Sequence, residues 1–213
     1  MSEQVLKKSG TVQKGRSKVR TIAQVAMLGA VATVLMLFEF PIPFLAPPFY
    51  ELDFSEVPVL IGAFAMGPIA GIAIEAVKIL LNFVLNGTIT AGVGEIANFL
   101  VGCAFLLPAA LVYRKKKTRK HAILGMIAGT VIMTTVACVL NAWILLPAYG
   151  IAFGMPVETF IEMGTAINGA IDCLFTFALL AVGPFNLLKG LLVSGIVLLL
   201  YKRIRVILRG DYS

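Results

Sequence analysis

The chain has 213 residues, of which 59% are hydrophobic and 14% charged, and its mean hydropathy is +0.95. A soluble domain is about half apolar and about a quarter charged, so the composition excludes a soluble globular protein and describes an all-α, polytopic membrane protein. The net charge of +7 is not a nucleic-acid signature: every Lys and Arg except Lys78 and Lys189 falls in one of three clusters, Lys7 to Arg20, Arg114 to Lys120 and Lys202 to Arg209. Basic clusters at the ends of apolar stretches mark the cytoplasmic side of a membrane.

The length allows about six spanning helices of roughly 20 residues with short connections. Residues 1–20 form a basic cytoplasmic segment, 21–203 the membrane domain and 204–213 a cytoplasmic tail. The N-terminus does not read as a secretory signal, because it stays basic for too long and lacks a small-residue cleavage site after its apolar run. A first helix is predicted from about Thr21 to Glu39. It leads into "FPIPFLAPPFYELDFSEVP", Phe40 to Pro58, a stretch of prolines and aromatics with Glu51, Asp53 and Glu56 and no basic residue. Val57 to Leu85 is too long for one span and too short for two. Pro68 disfavours helix at Gly67, which predicts two shorter helices, about 57–67 and 69–85. "NGTITAGVG", Asn86 to Gly94, reads as a loop, followed by a fourth helix from about Glu95 to Tyr113.

A fifth helix is predicted from about Ala122 to Leu146, ended by Pro147. The acidic stretch after it reads as an outside loop with room for a short amphipathic helix. Thr165 to Val182 is apolar, Gly183-Pro184 predicts a break, and Phe185 to Tyr201 is the last helix. With all three basic clusters inside, an even number of spans must separate each pair. Four spans before Arg114 and two after it place both termini in the cytoplasm. Thr165 to Val182 could then be a separate span, a re-entrant piece or the outer part of the last helix. Six spans, with this segment outside or partly dipping in, is the preferred arrangement.

Polar groups inside a bilayer are costly, and each is a candidate site. Glu75 and Lys78 are three apart and share a helix face. Asn98 and Asn141 lie on the fourth and fifth helices, and Asn186 and Lys189 share a face of the last. Lys189 is thirteen residues before Lys202, roughly 20 Å along a helix, too far to reach the cytoplasmic surface, so it needs another partner. Asn offers donors and an acceptor and Lys offers donors, a set suited to a neutral solute with many hydrogen-bonding groups. The proline loop supplies a stiff apolar wall and lid. The three cysteines have no metal spacing, and no metal site is expected. His121 is the sole histidine, and the chain has no HExxH, GxSxG or phosphate-binding P-loop. No catalytic residues are therefore expected, nor any ATPase site of the chain's own.

"FPIPFLAPPFYELDFSEVP", "GPIAGIAIEAVKILLNF", "IANFLVG", "LNAWILLPAYG" and "PFNLLKG", taken in order, resemble the riboflavin-specific substrate-binding (S) components of energy-coupling-factor (ECF) transporters, the RibU family. The resemblance covers about Ala23 to Tyr201. It implies an S-component fold of six helices in a bacterial cell membrane, with riboflavin as transported ligand and no cofactor. It also implies a transmembrane coupling protein and two ATP-binding subunits as partners. Carried over residue by residue, the substrate would be bound by Glu51, Leu52 and Asp53 of the loop with Asn141, Asn186 and Lys189. Ala26 and Ala30, four apart, would form the small-residue face that docks the coupling protein. One departure is a longer stretch between Tyr149 and Pro184. The alternatives are an S component for another vitamin, an ion-coupled secondary transporter using Glu75 and Lys78, and a membrane scaffold that binds no small molecule.

Overall fold

The structure is a computed structural model that describes residues 2–88 and 92–209, with side chains from 18–88 and 92–200. Helix α1 spans Ser2–Met36, and its apolar part is Lys18–Met36. Two short strands follow, β1 (Phe40–Pro41) and β2 (Glu51–Leu52), paired antiparallel with Phe40 opposite Leu52 and Pro41 opposite Glu51. The proline stretch is therefore a hairpin rather than a free loop. Ile42, Ala46 and Leu52 bury their side chains with Phe185, which pins the hairpin to the last helix.

Helices α2 (Glu56–Met66) and α3 (Pro68–Asn86) meet at Gly67. Gly67 has φ of 101°, a conformation open to glycine and strained for other residues, and Pro68 starts the next helix where no backbone donor is needed. The predicted break at Gly67-Pro68 is thus observed. Of the expected loop Asn86 to Gly94, residues 89–91 lie outside the described residues. Helix α4 spans Val93–Lys115, and α5 spans Arg119–Leu140, starting where Thr118 accepts from the His121 N–H.

The second half departs from the sequence expectation in two places. Pro147 does not end the fifth helix. A π-helical turn, Asn141–Leu145, carries α5 into α6 (Leu146–Phe153). Likewise Gly183-Pro184 is no break: α8 (Leu174–Phe177), a second π turn (Ala178–Val182) and α9 (Gly183–Arg209) run on as one helix. Proline lacks the N–H and clashes with the preceding turn of an α-helix, and a locally widened turn before each proline removes the conflict. Leu174 to Val182 is therefore the first part of the last helix, not a separate piece. The short helix expected in the outer stretch is α7 (Val157–Ile167).

Among the described residues, five helical stretches are long and apolar enough to cross a membrane: Lys18–Met36, Pro68–Asn86, Val93–Lys115, Arg119–Phe153 and Leu174–Leu200. Glu56–Met66 is a shorter apolar helix. Small residues let the helices approach closely, as membrane packing requires. A Cβ on Gly125 or Gly129 of α5 would meet the Ala109 or Phe105 carbonyl oxygen of α4 at 2.6 or 2.5 Å. Large apolar side chains such as Ile69, Val84 and Trp143 point outward, the arrangement expected where the solvent is lipid.

Candidate functional site

The hairpin closes over a cavity of about 250 Å³, walled by the ends of α1, α3 and α4, the π turn after α5 and the first turns of α9. Glu51, Asp53, Asn141, Asn186 and Lys189 all line it. Leu52 does not. It is 1% exposed and belongs to the apolar cluster that seats the hairpin, because neighbouring strand residues point to opposite faces.

Asn141 opens one π turn and Asn186 lies one helical turn beyond the other, and both use the same local device. Asn141 Nδ2 donates to the Ala137 carbonyl at 2.8 Å, and Asn186 Nδ2 donates to the Val182 carbonyl at 2.9 Å. Each bond fixes the amide by tying it to its own helix. Asn141 Oδ1 also accepts from the Tyr50 hydroxyl, which links the hairpin to the fifth helix. An amide has two N–H groups and two acceptor sites, so both asparagines keep capacity for a ligand. π turns recur at functional sites because they redirect side chains out of the α-helical pattern.

Lys189 donates to Asp53 Oδ2 at 2.8 Å, and the Ser55 N–H donates to Asp53 Oδ1 at 2.7 Å. Asp53 is the partner that the position of Lys189 required. Burial alone would push the Asp53 carboxyl up, but Lys189, with Lys78 further off and the Ser55 N–H, holds it at about 2. Nearby, burial raises the Glu39 carboxyl to about 7, assisted by the Glu51 and Asp53 carboxylates and a hydrogen bond with Glu51. Burial also pushes the Tyr50 hydroxyl well up, so it stays protonated and donates.

Aromatic rings complete the walls. Phe49 and Tyr50 have centroids 4.7 Å apart, Tyr50 and Phe185 5.8 Å, and Phe49 and Tyr149 6.4 Å. A flat, partly polar molecule fits such a setting, with rings for its faces and amides, an ammonium and carboxylates for its edges. Glu39, Tyr50, Asn82 and Glu95 also line the cavity and were not singled out from the sequence. Tyr50 adjoins Glu51 in the quoted loop. Asn82 lies one turn beyond Lys78 on α3, a spacing that could have flagged it. Asn98, one of the intramembrane polar residues, lines the cavity as well.

Glu75 and Lys78 do pair, 2.7 Å apart, and Glu56 joins Lys78 at the same distance. None of the three lines the cavity. Ala26 and Ala30 do not line it and are exposed on α1, while Gly29 between them packs on Val77 of α3.

A cavity bordered by a short hairpin and built into a helical membrane domain defines a substrate-binding membrane subunit, and the comparisons agree. Residues 20–201 match the family model "ECF transporter, substrate-specific component". The chain is 38% identical over 185 residues to the riboflavin transporter RibU of Staphylococcus aureus, covering 87% of this chain and 90% of that one. It is 34% identical over 189 residues to the riboflavin transporter FmnP of Bacillus subtilis, covering 88% and 93%. A solved S component of a bacterial ECF transporter superposes with a TM-score of 0.70 at 38% identity, covering 90% of this chain and 99% of that chain. The chain belongs to the substrate-specific (S) component family of ECF transporters.

Proposed function

We propose that this chain is the riboflavin-binding S component of an ATP-driven vitamin importer in a bacterial cell membrane. It spans the membrane six times, with Glu56–Met66 as the short span and both termini in the cytoplasm. It captures riboflavin from the outer side and delivers it together with a transmembrane coupling protein and two ATP-binding subunits. The observation that carries this reading is the convergence of Asn141, Asn186 and the Lys189–Asp53 pair on one cavity beneath an aromatic hairpin. The isoalloxazine ring stacks among the aromatics, and its edge and the ribityl hydroxyls bond to the amides and Lys189. Glu51 and Asp53 of the hairpin hold the lid side of the ligand, while Leu52 seats the lid. The names of the relatives support riboflavin over another vitamin.

The same cavity favours riboflavin over its phosphate. Glu39, Glu51, Asp53 and Glu95 line it, whereas Lys189 is the one cationic side chain among the described lining residues and is held by Asp53. A phosphate would add about −1.5 to −2 charges with no free cation to meet them.

Uptake of labelled riboflavin into proteoliposomes tests the reading. Import should require the coupling protein, both ATP-binding subunits and ATP. Import by this chain alone, driven by a proton or sodium gradient, would make it a secondary transporter instead.

A further inference from the structure

Five ionisable side chains are packed into a row that runs from the cavity into the helical core. Lys189 of α9 bonds Asp53 of the hairpin, and Lys78 of α3 sits 2.7 Å from both Glu56 of α2 and Glu75 of α3. In the inner group, Lys78 and Glu75 are fully buried and Glu56 is 2% exposed. Two carboxylates therefore face one ammonium, and adding Asp53 and Lys189 leaves three carboxylates against two ammoniums. One negative charge is uncompensated in a setting where an unpaired charge is expensive.

The carboxyl oxygens themselves report the same imbalance. Glu56 Oε2 and Glu75 Oε2 are buried without a hydrogen-bond partner, and Glu75 Oε1 has only the Lys78 ammonium beside it. The two carboxyl groups converge on one spot on α4: a Cβ on Gly102 would lie 2.3 Å from Glu75 Oε1 and 3.0 Å from Glu56 Oε1. The absence of a side chain at Gly102 is what leaves room for them. The other ionisable groups facing the cluster are Cys103 of α4, Asp53 and Lys189, and none supplies a further positive charge beyond those counted. Asp and Glu become hydrogen-bond donors on protonation, so one proton corrects the charge and gives the orphaned oxygens a donor at once.

We infer that Glu56, Lys78 and Glu75 form a buried proton-binding site, with one dissociable proton held between the two carboxyl groups at neutral pH. The site is distinct from the substrate cavity and does not depend on what that cavity binds. It makes the five-residue row electrically neutral, which explains how a chain with so few intramembrane charges places five of them together.

Infrared spectroscopy of the purified full-length protein in lipid tests this directly. At neutral pH Glu39→Gln, which removes the cavity carboxyl that also holds a proton in this range, should still show a protonated-carboxyl C=O band that shifts in D2O. In that background Glu75→Gln and Glu56→Gln should each abolish the band while keeping a near-normal melting temperature, since each leaves one carboxylate for Lys78. Substituting Glu56 and Glu75 together should lower the melting temperature markedly, because Lys78 is then buried without a counter-charge. A Glu39→Gln protein lacking the band at neutral pH, with or without added sodium, would overturn the proposal even if the further variants failed to fold. A band that survived both single substitutions would overturn it equally.

Discussion

Lys189 and Asp53 are 2.8 Å apart although 136 residues separate them in the chain. The contact joins the last helix to the hairpin between the first two, and so fixes the lid over the cavity. Lys189 is 12% exposed and Asp53 2% at the side chain, so neither charge is well solvated without the other. Removing one partner of a buried pair costs about 3–5 kcal/mol, whereas replacing both by apolar groups costs far less. Asp53→Asn should therefore lower stability strongly, and Asp53→Leu with Lys189→Met should lose much less than the sum of the two single changes. Thermal unfolding of the four proteins measures this; additive losses would contradict the pairing.

The pair also has an acid limit. The Asp53 carboxyl is held at about 2, below its usual range, so its contribution is complete above that range. It should be lost as the pH falls from about 4 toward 2. Glu39 runs the other way. Its carboxyl is raised to about 7, so the protonated form is favoured in the folded protein, and stability should fall as the pH rises through that value. Melting temperatures between roughly pH 5 and pH 8 should decline in the wild type more steeply than in Glu39→Gln. Parallel curves would contradict the assignment.

Two glycines make a matched test of helix packing. Gly129 abuts the Phe105 carbonyl oxygen of α4, where a Cβ would sit at 2.5 Å, while Gly195 has nothing within 4 Å. Gly129→Ala should destabilise by about 1–3 kcal/mol through overpacking. Gly195→Ala should be neutral or stabilise by about 0.5–1 kcal/mol, as alanine is the better helix former. Unfolding in detergent separates the two, and equal effects would mean that α4 and α5 do not approach as closely as described.

Ala26 and Ala30 lie one turn apart on the exposed side of α1, where small side chains admit a neighbouring helix. As the proposed docking face for the coupling protein, they should tolerate Leu substitution without loss of riboflavin binding, yet co-purification with the coupling protein and ATP-binding subunits should drop sharply. Unchanged co-purification would move the docking face elsewhere.

The residues that line the cavity were legible where bilayer energetics singled them out. Asn141, Asn186 and Lys189 are conspicuous in apolar helices because each must find a partner, and Lys189 lies too deep to reach the cytoplasmic surface. The Gly67-Pro68 break was legible because both residues act locally. The π turns were not. Pro147 and Pro184 read as helix ends, since sequence periodicity cannot show that a widened turn makes room for a proline. Glu39, Glu95 and Asn82 were missed for a different reason: each looks like an ordinary polar residue at a helix end, and only the packing of the hairpin brings them to one cavity. That the Leu52 side chain turns into the apolar cluster and not the cavity follows from strand alternation, which the two-residue strands β1 and β2 are too short to announce.

The most direct test of the account is titration of the purified protein with riboflavin, followed by flavin fluorescence. Stacking among Phe49, Tyr50, Tyr149 and Phe185 should quench the flavin at one equivalent per chain. Asn141→Ala and Asn186→Ala should each weaken binding by about 1–3 kcal/mol, the cost of a lost buried hydrogen bond. Absence of quenching at micromolar riboflavin, or unchanged affinity in both variants, would contradict the assignment of this cavity as the flavin site.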